Sequence, residues 1–186
     1  MGGVLYMCDL NSESVNSPRI TTVYTRSGDN GSTSIGSIKL PKYHPCVHFI
    51  GSIDEALAFI GLAIENSSVD LIVRDLEYVY ELLLKIASSL KSNWCPSEDL
   101  ILDIERRINN KVKPNKIITN YVKNPRRGGV ALTAITRTVI RRAERWFWQC
   151  FHDTSLGCKN IGVLLNRLSD LIFTIQYQAL LLEASK

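Results

Sequence analysis

Apolar residues recur along most of this chain at intervals of three and four, the spacing that lines one face of an α-helix. From residue 46 onward the period predicts five helices. Ile50, Ile53, Leu57, Ile60 and Ile64 mark the apolar face of the first, with Asp54, Ala58, Gly61 and Glu65 just beside it. In the second, Ile72, Leu76, Val79, Leu83, Ile86 and Leu90 alternate four and three, the seam of a bundle, with Ser68 as its expected cap and Trp94-Cys95-Pro96 at its end. Ser97-Glu98-Asp99 opens a short third helix: a hydroxyl cap, then acids against the positive end of the dipole, with Arg106, Arg107 and Lys111 at the far end. A loop runs from Pro114 to Gly129. Leu132, Ile135, Val139, Ala143, Trp146 and Cys150 then line the fourth helix, and Ile161, Leu164, Leu168, Leu171, Ile175 and Leu182 the fifth. Trp146 is expected in the core and Trp148 at an interface. Helices of these lengths with short connections pack as a five-helix antiparallel bundle, an all-α fold.

The N-terminal part has no such period. Residues 1–20 are polar and rich in Ser and Asn, and are expected to form a flexible arm. Residues 21–45 carry Gly28, Gly31, Gly36, Pro41 and Pro45 and read as an irregular loop segment, with a short strand at 22–24. The chain therefore divides into the arm and one domain, 21–186, made of the loop segment 21–45 and the bundle 46–186. A length of 186 residues is enough for one domain with a proper core. The net charge of +4 permits anionic ligands and does not by itself indicate nucleic acid. The five cysteines form no CxxC, have no histidine at metal-ligand spacing and are odd in number, which suggests reduced thiols rather than a disulfide framework. No apolar run approaches the roughly 18–20 residues that span a bilayer, and the N-terminus lacks the pattern of a signal peptide. The expectation is a cytoplasmic protein without a membrane partner.

Charge patterning points to chemistry in four places. On the fourth helix, Arg137, Arg141 and Glu144 share one stripe, and Arg141 and Arg145 form a second like-charged pair at i, i+4. Each such pair costs about 0.2–0.5 kcal/mol on an exposed helix. A helix that accepts this twice gains if it holds a polyanion, and a guanidinium fork fits phosphate oxygens. A solvated basic face partly neutralised by Glu144 has the same sequence. The second place is Tyr24-Thr25-Arg26-Ser27-Gly28-Asp29-Asn30-Gly31-Ser32-Thr33-Ser34, where glycines let backbone N–H groups converge and hydroxyls and one arginine add donors. It suits a triphosphate but lacks GxxxxGK[ST], and an ordinary solvated loop has this composition too. The third is Asp54-Glu55, near the expected start of the first helix, where acids also simply favour a first turn. The fourth is Asn166-Arg167-Leu168-Ser169-Asp170, which places an amide and a carboxylate at i, i+4; structural hydrogen bonding is the alternative. His44, His48 and His152 are scattered and form no metal cluster.

Taken in order and spacing, these four pieces resemble the PduO-type ATP:cob(I)alamin adenosyltransferases (corrinoid adenosyltransferases). The likeness runs through YTRSGDNGSTS, GSIDEALAFIGLA, RTVIRRAER and LNRLSDLIF, from about Thr21 to the C-terminus. The resemblance implies a five-helix bundle assembled as a homotrimer. It implies transfer of the 5′-deoxyadenosyl group of ATP to cob(I)alamin, making adenosylcobalamin and releasing triphosphate, with Mg²⁺ bound through ATP oxygens. By matched positions, Tyr24, Thr25, Arg26, Gly28 and Asp29 would bind the phosphates, and Arg137, Arg141, Glu144 and Asn166 would face the nucleotide. Asp54 would pair with Arg137 across the subunit boundary, so that Arg137, Arg141, Glu144 and Asp54 carry the catalysis. Arg142 belongs to the motif but lies off the stripe. Tyr121 or Val122 would wall the cobalamin pocket, with Asp170 on the cobalamin side. A cobalamin reductase and an adenosylcobalamin-dependent enzyme are the implied partners. The family's DELNA reads Asp54-Glu55-Ala56-Leu57-Ala58 here, and its Pro-x-Gly-Gly reads Pro125-Arg126-Arg127-Gly128-Gly129. The altered glycine loop keeps one alternative open, a trimer on the same bundle that senses nucleotide or carries cobalamin without catalysis.

Overall fold

The computed structural model describes Tyr24, residues 26–111, Pro125 and residues 128–183. The chain divides into two units, Met1–Tyr43 and His44–Lys186. The expected arm, residues 1–20, lies outside the described residues, and Tyr24, the described end of the expected strand at 22–24, is in no strand.

In the first unit, β1 (Ser32–Ile35) and β2 (Ile38–Pro41) pair antiparallel, with Ile35 opposite Ile38. The two-residue connection needs a positive φ, and Gly36 supplies it at +60°. The sequence reading took this stretch for irregular loop. Its only local signals are one glycine between two short runs and a strand that ends in proline.

In the second unit the expected bundle is present: α1 (Pro45–Glu65), α2 (Asp70–Ser92), α3 (Glu98–Lys111), α4 (Gly128–Thr154) and α5 (Lys159–Glu183). Side-chain pairs fix the directions. Tyr78 donates to Asp103 and Lys111 pairs with Asp75, so α3 runs back along α2. Arg167 bonds Glu105 and Lys111 bonds Gln178, so α3 and α5 run the same way. At the start of α4, a Cβ on Gly129 would sit 2.9 Å from the Asn66 carbonyl oxygen and 3.1 Å from that of Ala63. Glycine there lets α4 begin hard against the end of α1, and the two helices run antiparallel from that point.

The six expected core positions of α2 are all buried, as are Ile161, Leu164, Leu168, Leu171 and Ile175 of α5, while Leu182 is exposed near the helix end. Ser97 Oγ accepts from the Leu100 N–H at 3.2 Å, the expected cap of α3. Four details differ from expectation. Val69, not Ser68, stands at the N-cap of α2. His44 caps α1, its Nδ1 accepting from the Cys46 N–H with Pro45 at the first turn, so Asp54 and Glu55 lie in mid-helix rather than near its start. The buried stripe of α1 is Cys46, Phe49, Ile53, Ala56, Ile60 and Ala63. Ile50, Leu57 and Ile64 are only half-buried and flank that stripe, while Leu62 is exposed on the outer side of the helix. Against the expectation that no apolar run approaches a membrane-spanning length, α1 is long and apolar enough to cross a membrane by length and composition, although Asp54 and Glu55 interrupt it. In α4, Ile135 of the expected stripe is exposed, and Phe147 fills the core where Trp146 was expected, because it continues the stripe of Val139, Ala143 and Cys150. Trp146 stacks on His48 at 4.5 Å instead. Trp148 lies over Gly162, where an added Cβ would meet its ring at 2.4 Å.

The cysteine expectation is overturned. Cys46 is bonded to Cys150 and Cys95 to Cys158, while Cys8 lies outside the described residues. Spacing along the chain does not reveal these pairs because helix packing makes them. The start of α1 meets the end of α4, and the α2–α3 connection meets the α4–α5 connection. Both bonds therefore tie the same end of the bundle.

Candidate functional site

Antiparallel packing of α4 on α5 turns two sequence motifs into one structure. Stepping along α4 through Glu144, Arg141 and Arg137 meets Asn166, Asp170 and Phe173 in turn on α5. At the first rung, Asn166 Nδ2 donates to Glu144 Oε1 at 3.4 Å. At the second, the Asp170 carboxyl lies in the field of Arg141 and Arg137. At the third, the Arg137 guanidinium sits 5.8 Å from the centre of the Phe173 ring. The sequence-predicted residues Arg137, Arg141, Glu144, Asn166 and Asp170 are thus brought together on one face.

The electrostatics of this face are unfinished. Arg141 is exposed and makes no ion pair among the described residues. Arg137 Nε is buried and finds no acceptor. A buried guanidinium donor without a partner costs free energy, so it calls for an explanation. Desolvation pushes the Asp170 carboxyl above the usual aspartate range even though the residue as a whole is exposed. Arg167, Arg141 and Arg137 oppose that rise, in that order. The face therefore offers two arginines without carboxylate partners, an amide donor and a carboxylate that is costly to keep charged. That inventory suits a bound polyanion.

Other expected residues stand elsewhere. Asp54 is exposed on α1, and no ion pair joins it to Arg137 within the chain. Its neighbour Glu55 pairs with Arg142, which ties α1 to α4 and explains why Arg142 lies off the stripe. In the first unit, Tyr24, Arg26, Gly28 and Asp29 fall in a turn-rich loop. Arg26 holds a φ of +58°, a region L-residues rarely adopt, and its guanidinium lies 5.5 Å from the Tyr24 ring centre. The Asp29 N–H reaches the Arg26 carbonyl at 3.3 Å and the Gly31 N–H the Gly28 carbonyl at 3.1 Å. Thr25, Tyr121 and Val122 lie outside the described residues.

Sequence reasoning missed Phe173, which sits three residues beyond Asp170 on the same helix face and could have been found by that spacing. It also missed Arg167 as a structural partner. Arg167 Nη1 donates to Asn166 Oδ1 at 2.8 Å, and its Nε donates to Glu105 Oε1 at 2.7 Å. Nothing local to LNRLSD identifies Glu105, because it comes from α3.

Known proteins resemble this chain in sequence and in fold. The family model described as cobalamin adenosyltransferase matches residues 23–179. The chain is 29% identical over 161 residues to the corrinoid adenosyltransferase of Bacillus subtilis, covering 81% of this chain and 82% of that protein. It is 26% identical over 194 residues to human corrinoid adenosyltransferase MMAB, covering 96% of this chain and 76% of that protein. In structure it resembles a variant PduO-type ATP:corrinoid adenosyltransferase from Lactobacillus reuteri complexed with cobalamin and ATP. That likeness has a TM-score of 0.75 and 25% identity, over 87% of this chain and 96% of that one.

Proposed function

We propose how the ladder works from the premise that the chain belongs to the cobalamin adenosyltransferase family. The chain is an ATP:corrinoid adenosyltransferase: it moves the 5′-deoxyadenosyl group of ATP to the cobalt of cob(I)alamin, forming adenosylcobalamin and releasing triphosphate. The cobalt(I) electron pair attacks C5′, the C5′–O bond breaks, and triphosphate leaves with the bonding pair. Cobalt(I) is already a strong nucleophile, so no general base is needed. The protein must align C5′ over the metal and stabilise the departing charge.

The observation that carries the residue assignment is the α4–α5 ladder with its unpaired arginines. Arg141 and Arg137 bind phosphate oxygens, and the nucleotide supplies the acceptor that Arg137 Nε lacks. Asn166 donates to the nucleotide while Glu144 holds its amide. Tyr24, Thr25, Arg26, Gly28 and Asp29 are proposed to bind phosphate as well. Among the described residues no group of three His, Cys, Asp or Glu stands together as a metal site. Mg²⁺ is therefore proposed to bind through ATP oxygens, where it would share the charge of the leaving group. Tyr121 and Val122 are proposed to wall the corrin and Asp170 to line its side.

A homotrimer is the proposed assembly, with Asp54 of one subunit against Arg137 of the next. Exposed Asp54 and exposed Leu62 on the outer side of α1 support it. The proposed compartment is a cytoplasm that keeps the two disulfides oxidised, as in hyperthermophiles, with a reductase to supply cob(I)alamin and an adenosylcobalamin-dependent enzyme to take the product. Phosphorus NMR of a single-turnover reaction tests the chemistry: one tripolyphosphate per adenosylcobalamin is expected, and pyrophosphate or ADP in its place refutes the bond assignment. Sedimentation tests the assembly: a fully active monomer at micromolar concentration refutes the shared site.

A further inference from the structure

The amide of Asn166 is held at both ends, one of them from outside the site. Its Nδ2 donates to Glu144 and its Oδ1 accepts from Arg167 Nη1, which fixes which end of the amide points where. The second contact is unusual. Neighbouring residues on a helix point about 100° apart and do not normally face each other. Arg167 reaches Asn166 because its Nε is anchored at 2.7 Å by Glu105 of α3, and a planar guanidinium fixed at Nε has its Nη groups aimed as well. The side chains of Arg167 and Glu105 are each 35% exposed, so the pair is neither buried in the core nor free in solvent. Asp170 is a competitor, since its carboxyl, three residues along α5, also lies in the field of Arg167.

We propose that Glu105 is a positioning residue for adenosyl transfer: through Arg167 it locks the Asn166 amide with its N–H groups toward the nucleotide. The inference rests on the nucleotide role proposed for Asn166. Without Glu105, Arg167 turns toward Asp170 and releases Asn166 Oδ1. The amide is then oriented only by the 3.4 Å contact to Glu144, and its N–H groups are held less firmly toward an anionic ligand. Helix α3 carries none of the four motifs, yet it sets a donor in the site.

The test measures Mg-ATP affinity by thermal shift and kcat/KM for ATP in wild type, Glu105→Ala, Asn166→Ala and the double variant. Glu105→Ala should lose roughly tenfold in both quantities, the scale seen when partners that orient a ligand-binding group are removed. Its melting temperature should stay within about 4 °C of wild type, because a partly exposed ion pair contributes little stability. The loss should vanish in the Asn166→Ala background, since Glu105 acts only through that amide. Glu105→Gln, which keeps an acceptor for Arg167 Nε, should recover most of it. Unchanged ATP affinity in Glu105→Ala overturns the proposal, as does an equal loss with and without Asn166. If wild type binds ATP but forms no cobalt–carbon bond, the catalytic reading fails while the affinity cycle still decides the role of Glu105.

Discussion

Replacing Arg141 by alanine should move stability and activity in opposite directions. Arg141 is exposed on α4, four residues from both Arg137 and Arg145, and has no carboxylate partner among the described residues. Removing it relieves two like-charge pairs at about 0.2–0.5 kcal/mol each, a gain of about 0.4–1 kcal/mol. Two effects oppose the gain, the first being the lost i, i+3 attraction to Glu144, about 0.2–0.5 kcal/mol. Arg141 is also among the three arginines that hold down the raised Asp170 carboxyl, so that group becomes still harder to ionise. The net expectation is a melting temperature unchanged or higher by up to about 4 °C for a domain of this size. Catalysis goes the other way. Truncating a charged group that binds a buried phosphate typically costs about 2–5 kcal/mol, or roughly 30- to 5,000-fold in kcat/KM. Differential scanning calorimetry and a corrin-absorbance assay with saturating cob(I)alamin measure both sides. A melting temperature several degrees lower would make Arg141 structural, and wild-type turnover would remove it from the phosphate site.

Asp54→Asn and Arg137→Ala should each impair transfer, and the double variant should lose less than the sum, because paired groups couple by about 0.5–3 kcal/mol; strict additivity argues that the two never touch. Mg-ATP should slow hydrogen exchange across residues 26–34, since a bound polyanion would hold the loop closed for more of the time; equal protection without nucleotide removes the loop from the ATP site. Reduction with dithiothreitol should lower the melting temperature, as loss of a native disulfide in a small domain typically costs about 2–5 kcal/mol. A melting curve that ignores the reductant, with all cysteines alkylatable beforehand, would return the four to thiols.

Much of the bundle is written locally. The four-three alternation of α2 needs only its own residues to find the core, and Ser97 caps α3 through a bond three residues long. What the sequence hides is what packing decides. Helix α1 is apolar well beyond one stripe, so its periodicity could not mark the edge of the core, and the expected stripe included Ile50, Leu57 and Ile64, which lie half-buried on its flank. Phe147 and Trp146 are adjacent and both aromatic, and only the stripe running through Ala143 and Cys150 separates them. The disulfides join residues 104 and 63 positions apart, which no spacing rule detects. The site divides in the same way. Arg137, Arg141 and Glu144 are a pattern on one helix and could be read. Phe173 and Glu105 join them only because α5 lies against both α4 and α3.

Corrin absorbance tests the central claim most directly. Chemically reduced cob(I)alamin is mixed anaerobically with the protein, ATP and Mg²⁺, and the spectrum is followed against a sample without ATP. The ladder of Arg137, Arg141, Glu144 and Asn166 as an adenosyl-transfer site predicts that the cob(I)alamin bands give way to those of a photolabile cobalt–carbon bond only when protein and ATP are both present. Cob(I)alamin that persists unchanged with ATP bound would contradict it.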